Sequence, residues 1–115
     1  RGLDQTRLNK YFARLGAQWK ICDEIRSLCS FGVRNLHDPF TGIGPFDVIF
    51  CRNVVIYFTP EDRKSIFHRM SQSLNPNGWI LVGASEPLGE MGPRWTPQFH
   101  CRASCYRPNQ TVPTR

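Results

Sequence analysis

Two short apolar runs, Phe46-Asp47-Val48-Ile49-Phe50-Cys51 and Trp79-Ile80-Leu81-Val82-Gly83, constrain the fold of this chain more than any other feature. The first is β-branched or aromatic almost throughout, the pattern of a strand buried on both faces of a parallel sheet. Between them, Thr59-Pro60-Glu61-Asp62 carries strong helix-start signals. Thr59 is a natural N-cap, proline suits the first helical position, and the acidic pair complements the positive end of the helix dipole. Ile66, Phe67, Met70 and Leu74 give that helix an apolar stripe, and Asn75-Pro76-Asn77-Gly78 stops it. Strand, helix and strand at this spacing predict a βαβ unit with a right-handed crossover in a parallel sheet. One such unit is less than a complete doubly wound sheet.

The flanks supply smaller elements. Leu8, Tyr11, Phe12 and Leu15 fall at helical spacing, which predicts a helix over about residues 5–15, with Asp4 as N-cap and Gly16 closing the end. Trp19 to Cys22 and Phe31 to Leu36 read as short antiparallel strands, and the segment around Pro39, Gly42, Gly44 and Pro45 as a loop. Phe99 to Arg107 alternates apolar and polar residues, so it reads as one closing strand near the sheet edge. From Pro108 onward a polar tail with two prolines is expected to be loose.

Composition narrows the function classes. At 115 residues with 40% hydrophobic and 12% aromatic content, the chain has enough apolar surface for a core. It has no apolar run long enough to span a bilayer and no secretion-signal pattern, so no membrane insertion and a cytoplasmic location are expected. The absence of an initiator Met suggests residues upstream. The net charge of +6 comes from basic residues dispersed along the chain, which argues for solvated surface over nucleic-acid binding. Five cysteines, at 22, 29, 51, 101 and 105, form no Cys-x-x-Cys pair and read as reduced, packed thiols, with a Cys22–Cys29 bridge left open. On one straight strand Cys101 and Cys105 lie roughly 13 Å apart, too far for a shared metal. His37, His68 and His100 show no metal-ligand spacing, so no metal is expected.

Ligands in open α/β sheets bind beyond the carboxyl ends of the strands. That rule puts Arg52-Asn53 and the following Val54–Phe58 stretch at a ligand edge, joined there by Gly83-Ala84-Ser85-Glu86. From the residues alone, Asn53 is as well explained as a turn cap, Arg52 as a surface cation, Tyr57 as core, and Asn35-Leu36 as a strand end. Ser85 lacks the Gly-x-Ser-x-Gly setting of a nucleophile and reads as structural.

The stretch Phe46-Asp47-Val48-Ile49-Phe50-Cys51-Arg52-Asn53-Val54-Val55-Ile56-Tyr57-Phe58 closely resembles the signature of the chemotaxis receptor methyltransferase (CheR) family. Leu74-Asn75-Pro76-Asn77-Gly78, Gly83-x-Ser85-Glu86 and Val33-Arg34-Asn35-Leu36-His37-Asp38 continue the match in order, up to about Arg107. The resemblance implies an α/β fold, the C-terminal half of a Rossmann-like methyltransferase domain over residues 1–107. A small antiparallel β-subdomain at about 17–34 is implied, followed by a flexible tail at 108–115. It also implies S-adenosylmethionine as cofactor, with S-adenosylhomocysteine as product, and glutamate side chains on the cytoplasmic domain of a chemoreceptor as substrate. By position, Asn35, Leu36, Arg52 and Asn53 would contact the cofactor, and Tyr57 would lie close to the transferred methyl.

The family's glycine-rich cofactor loop and its ribose-binding acid have no counterpart in these 115 residues. The chain alone is therefore expected to bind the cofactor poorly and not to turn over, unless a second copy completes the sheet. The competing expectation is a non-catalytic module that binds a receptor or signalling partner. The Asp/Asn-Pro-Pro-aromatic motif of many base-modifying methyltransferases is absent, because Arg52-Asn53-Val54-Val55 holds no proline.

Overall fold

A computed structural model describes residues 2–84, 95–100 and 103–109. The chain divides into two compact units, Arg1–Arg34 and Asn35–Arg115.

In the first unit, helix α1 spans Gln5–Tyr11. Its start follows the sequence: Asp4 caps it, its carboxylate accepting from the Arg7 N–H at 2.7 Å. Its end does not. The helix stops at Tyr11, and strands β1 (Phe12–Leu15) and β2 (Gln18–Ile21) form an antiparallel hairpin, with Leu15 opposite Gln18. Gly16 is therefore the first residue of a two-residue turn, at φ +63°, and not a helix cap. The apolar spacing over 8–15 fits a helix, but ladder pairing overrides that weak local preference. The expected strand at 31–36 is absent. A short helix α2 at Asp23–Arg26 is followed by irregular chain, so the hairpin lies at 12–21.

The second unit is a mixed four-stranded sheet in the order β3-β4-β6-β5, with one helix packed on it. Strand β3 (Phe46–Cys51) pairs in parallel with β4 (Leu74–Val82), and helix α3 (Pro60–Gln72) connects them, giving the expected βαβ unit. Thr59 caps α3 by accepting from the Asp62 N–H at 3.2 Å. The stop signal is retained as a bulge. Phe46 pairs with Leu74 but Val48 with Trp79, so Asn75–Gly78 bow out of register, held by Asn75 Nδ2 donating to Asp47 Oδ1 at 2.7 Å. The start of β3 is tied to the end of α3, where the Phe46 N–H donates to the Ser73 carbonyl at 2.7 Å. Gly44, at φ +83°, passes so close that a Cβ there would sit 2.9 Å from that same carbonyl oxygen.

The core lies between α3 and one face of the sheet. Ile66, Phe67 and Met70 pack with Cys51, Ile80 and Val82 and with fully buried Val55, while Ile49 joins from the margin. Trp95 meets Phe67 edge to face at 6.4 Å. This corrects the expectation that β3 is buried on both faces. Alternation puts Ile49 and Cys51 toward α3, whereas Phe46, Val48 and Phe50 are exposed, Phe50 to 72%. Strand β3 is at the sheet edge, and no described element covers that face.

The closing strand is also corrected. It is two strands, β5 (Trp95–His100) and β6 (Ala103–Pro108), paired antiparallel from His100–Ala103 to Trp95–Pro108. The alternation over 99–107 thus runs across a chain reversal. Pro108, expected in the tail, ends β6; residues 110–115 lie outside the described residues. Cys22, Cys29, Cys51 and Cys105 are free thiols, so the Cys22–Cys29 bridge is not formed.

Truncating Phe67 would open a cavity beneath both the sheet and Trp95. Phe67→Ala is expected to lower unfolding free energy by about 3–5 kcal/mol. Urea denaturation followed by tryptophan fluorescence measures this, and a loss below about 1 kcal/mol would contradict the assigned core.

Candidate functional site

Strand β3 delivers the chain to the carboxyl edge of the parallel pair with buried Cys51, and polarity changes there abruptly. Arg52 and Asn53 are exposed, Val55 is buried, and a single 3-10 turn at Val55–Tyr57 leads to the cap of α3. Buried Val55 pins this short segment to the core, so the residues around it have a fixed frame. Tyr57 is 84% exposed and is not a core residue, whereas Phe58 packs against the core margin.

Asn53 has φ +83°, the only non-glycine residue with positive φ among those described. Left-handed backbone costs an ordinary L-residue roughly 1–2 kcal/mol, and asparagine tolerates it better than most. A strained position directly after a strand is a common companion of ligand sites.

The second part of the edge is the loop Asn35–Phe40. Asn35 Oδ1 accepts from the His37 N–H at 3.0 Å, and the Asn35 carbonyl accepts from the Asp38 N–H at 3.0 Å. These two bonds fold the segment into a turn, which leaves the Asn35 amide NH2 as its donor end. Leu36 and Phe40 pack at the core margin, and the His37 ring meets Phe58 edge to face at 5.1 Å. The loop carrying Asn35 and Leu36 therefore touches the segment that follows Tyr57. Arg69 of α3 completes the hold, one guanidinium nitrogen donating to the Leu36 carbonyl and another to Ser65 Oγ at 2.6 Å.

Asn35 and Leu36 thus stand on one contacted loop, and Arg52, Asn53 and Tyr57 on the turn after β3. Ser85 and Glu86 lie outside the described residues. Sequence reasoning missed Arg69, Phe40 and the His37–Phe58 contact. Their partners are up to 33 residues away in the chain, and no local spacing announces them. Among the described residues no group of His, Cys, Asp or Glu could hold a metal ion, and no helix is long and apolar enough to cross a membrane.

The family described as CheR methyltransferase, SAM binding domain, matches residues 1–104. The chain belongs to that family. Its cofactor is accordingly S-adenosylmethionine. Among curated proteins, the chain is 44% identical over 89 residues to a chemotaxis protein methyltransferase of Vibrio parahaemolyticus, covering 76% of this chain and 32% of that protein. It is 41% identical over 92 residues to chemotaxis protein methyltransferase 1 of Pseudomonas aeruginosa, covering 79% and 34%. With the chemotaxis protein methyltransferase of Escherichia coli the identity is 33% over 101 residues, covering 84% and 35%. The chain spans about a third of the length of the curated relatives it matches.

The donor set suits such a cofactor. An exposed guanidinium at Arg52, amides at Asn35 and Asn53, and an apolar floor from Leu36 and Val55 match a ligand with a carboxylate, hydroxyls and a purine ring.

The backbone at residue 53 offers a direct check. Asn53→Ala is expected to lower stability by about 1–2 kcal/mol, while Asn53→Gly is expected to be neutral within about 0.5 kcal/mol. Denaturant unfolding of both variants tests this, and equal losses would show that the side chain, and not the left-handed backbone, sets the cost.

Proposed function

We propose that this fold serves S-adenosylmethionine-dependent methyl esterification of glutamate side chains on the cytoplasmic domain of a chemoreceptor, in a Rossmann-like methyltransferase located in the cytoplasm. The observation that carries the reading is the family match over residues 1–104, joined to an exposed Arg52-Asn53 and Tyr57 at the carboxyl edge of a parallel strand. In this reading Asn35, Leu36, Arg52 and Asn53 hold part of the cofactor, and further chain supplies the rest. The apolar face that β3 leaves open and the one-third coverage of the relatives support a site completed in that way.

The chemistry asks little of the protein's acids and bases. When bound, the cofactor supplies an electrophilic methyl group. A glutamate carboxylate is already ionised at neutral pH, so it needs no general base, and no proton moves. The protein's part is to align the carboxylate and exclude water. Tyr57, with its hydroxyl free to donate, is assigned to orienting the carboxylate. The β1–β2 hairpin supports a second, compatible reading as a partner-docking element, because Trp19 and Leu15 are exposed on it.

A chimera tests the proposal. The matching segment of the Vibrio parahaemolyticus relative is replaced by residues of this chain, and methyl transfer to receptor glutamates is followed with radiolabelled cofactor. Activity is expected, and Tyr57→Phe is expected to lower kcat about tenfold or more with little change in cofactor affinity. A folded chimera that binds S-adenosylhomocysteine yet never esterifies glutamate would remove the acceptor assignment. An unchanged kcat in Tyr57→Phe would remove Tyr57 from the mechanism.

A further inference from the structure

We propose that Arg69 is a positioning residue for the cofactor loop, fixing Asn35 and Leu36 from the far side; this rests on the cofactor site assigned above. Four observations converge on its guanidinium. It donates to the Leu36 carbonyl, a part-buried contact across 33 residues of sequence. It donates through a second nitrogen to Ser65 Oγ, one turn earlier on α3, at 2.6 Å. Its plane lies over the Phe40 ring, 5.6 Å from the centroid. Its Nε is buried with no hydrogen-bond partner, so this side chain is not simply solvated.

The arrangement makes one rigid fork serve both ends of the loop. Leu36 is held by its backbone and Phe40 by its ring, so the turn carrying Asn35 spans two points fixed to α3. The same helix packs on the strand that presents Arg52 and Asn53. Arg69 therefore keeps the two halves of the cofactor edge in one frame, although it lies on neither. A planar, five-donor group is required, since a point charge cannot bond two acceptors in a fixed fork and also stack on an aromatic ring. Loss of the guanidinium would leave a part-buried carbonyl without its donor and free the loop to move.

The test uses the whole 115-residue chain, with backbone amides assigned by NMR. S-adenosylhomocysteine is titrated to millimolar concentration, and amide hydrogen exchange is recorded at Asn35–Asp38. For the wild type, shifts are expected at Asn35 and Leu36 and at Arg52 and Asn53. In Arg69→Ala, exchange at His37 and Asp38 is expected to rise at least tenfold, and the shifts at Asn35 and Leu36 to vanish. Those at Arg52 and Asn53 persist, and protection within α3 is retained. Arg69→Lys, which keeps charge and length, is expected to restore the loop only in part, and it supplies the comparison should the alanine variant fail to fold. Shifts at Asn35 and Leu36 that survive unchanged in the variants overturn the positioning role alone. The absence of shifts at either segment in the wild type overturns the site assignment, and the positioning role with it.

Discussion

The structure depends on one packing contact: the Ile66, Phe67 and Met70 face of α3 against Cys51, Ile80 and Val82 of the parallel pair, with Val55 closed beneath it. This contact ties β3, α3 and β4 into a single βαβ unit. It also decides where the chain may become polar. The segment leaving β3 is anchored at Val55, so Arg52, Asn53 and Tyr57 are raised around a buried pivot. Burial of these apolar side chains supplies roughly 1.5–3 kcal/mol each, larger than any exposed ion pair in the chain. The pairs Arg7–Asp4 and Arg26–Asp23 are solvent-exposed and add little.

Much of this unit was legible in the sequence because its signals are local and mutually consistent. Thr59, Pro60 and the acidic pair mark the start of α3, and the two apolar runs are too short and too β-branched for helices. The first helix and the closing strand were misread for a common reason. Over Phe12–Leu15, apolar spacing is compatible with two periods, and only the pairing with Gln18–Ile21 decides between them. Over 99–107, alternation continues through a reversal because period two carries no information about direction. The exposure of β3 was illegible too, since a run suited to two-sided burial does not say which neighbours are present.

The site was partly legible. Arg52, Asn53 and Tyr57 could be placed at an edge by the rule for parallel sheets, and their exposure there is a property of the fold. Asn35 and Leu36 rested on resemblance alone, and what the structure adds is the means by which their loop is held. Two backbone turns, an edge-to-face ring pair and a guanidinium fork fix a segment that has no regular secondary structure. Such contacts leave no periodic trace in a sequence because each joins residues far apart in the chain.

The central claim is that the cofactor lies on the edge formed by the Asn35–Leu36 loop and the turn after Cys51. Photolabelling with an azido derivative of S-adenosylmethionine, followed by peptide mass spectrometry, tests it most directly. The account predicts adducts within Asn35–Leu36 or Arg52–Phe58 that disappear when S-adenosylhomocysteine is added in excess. Competed labelling confined to the β1–β2 hairpin, with neither segment modified, would contradict it.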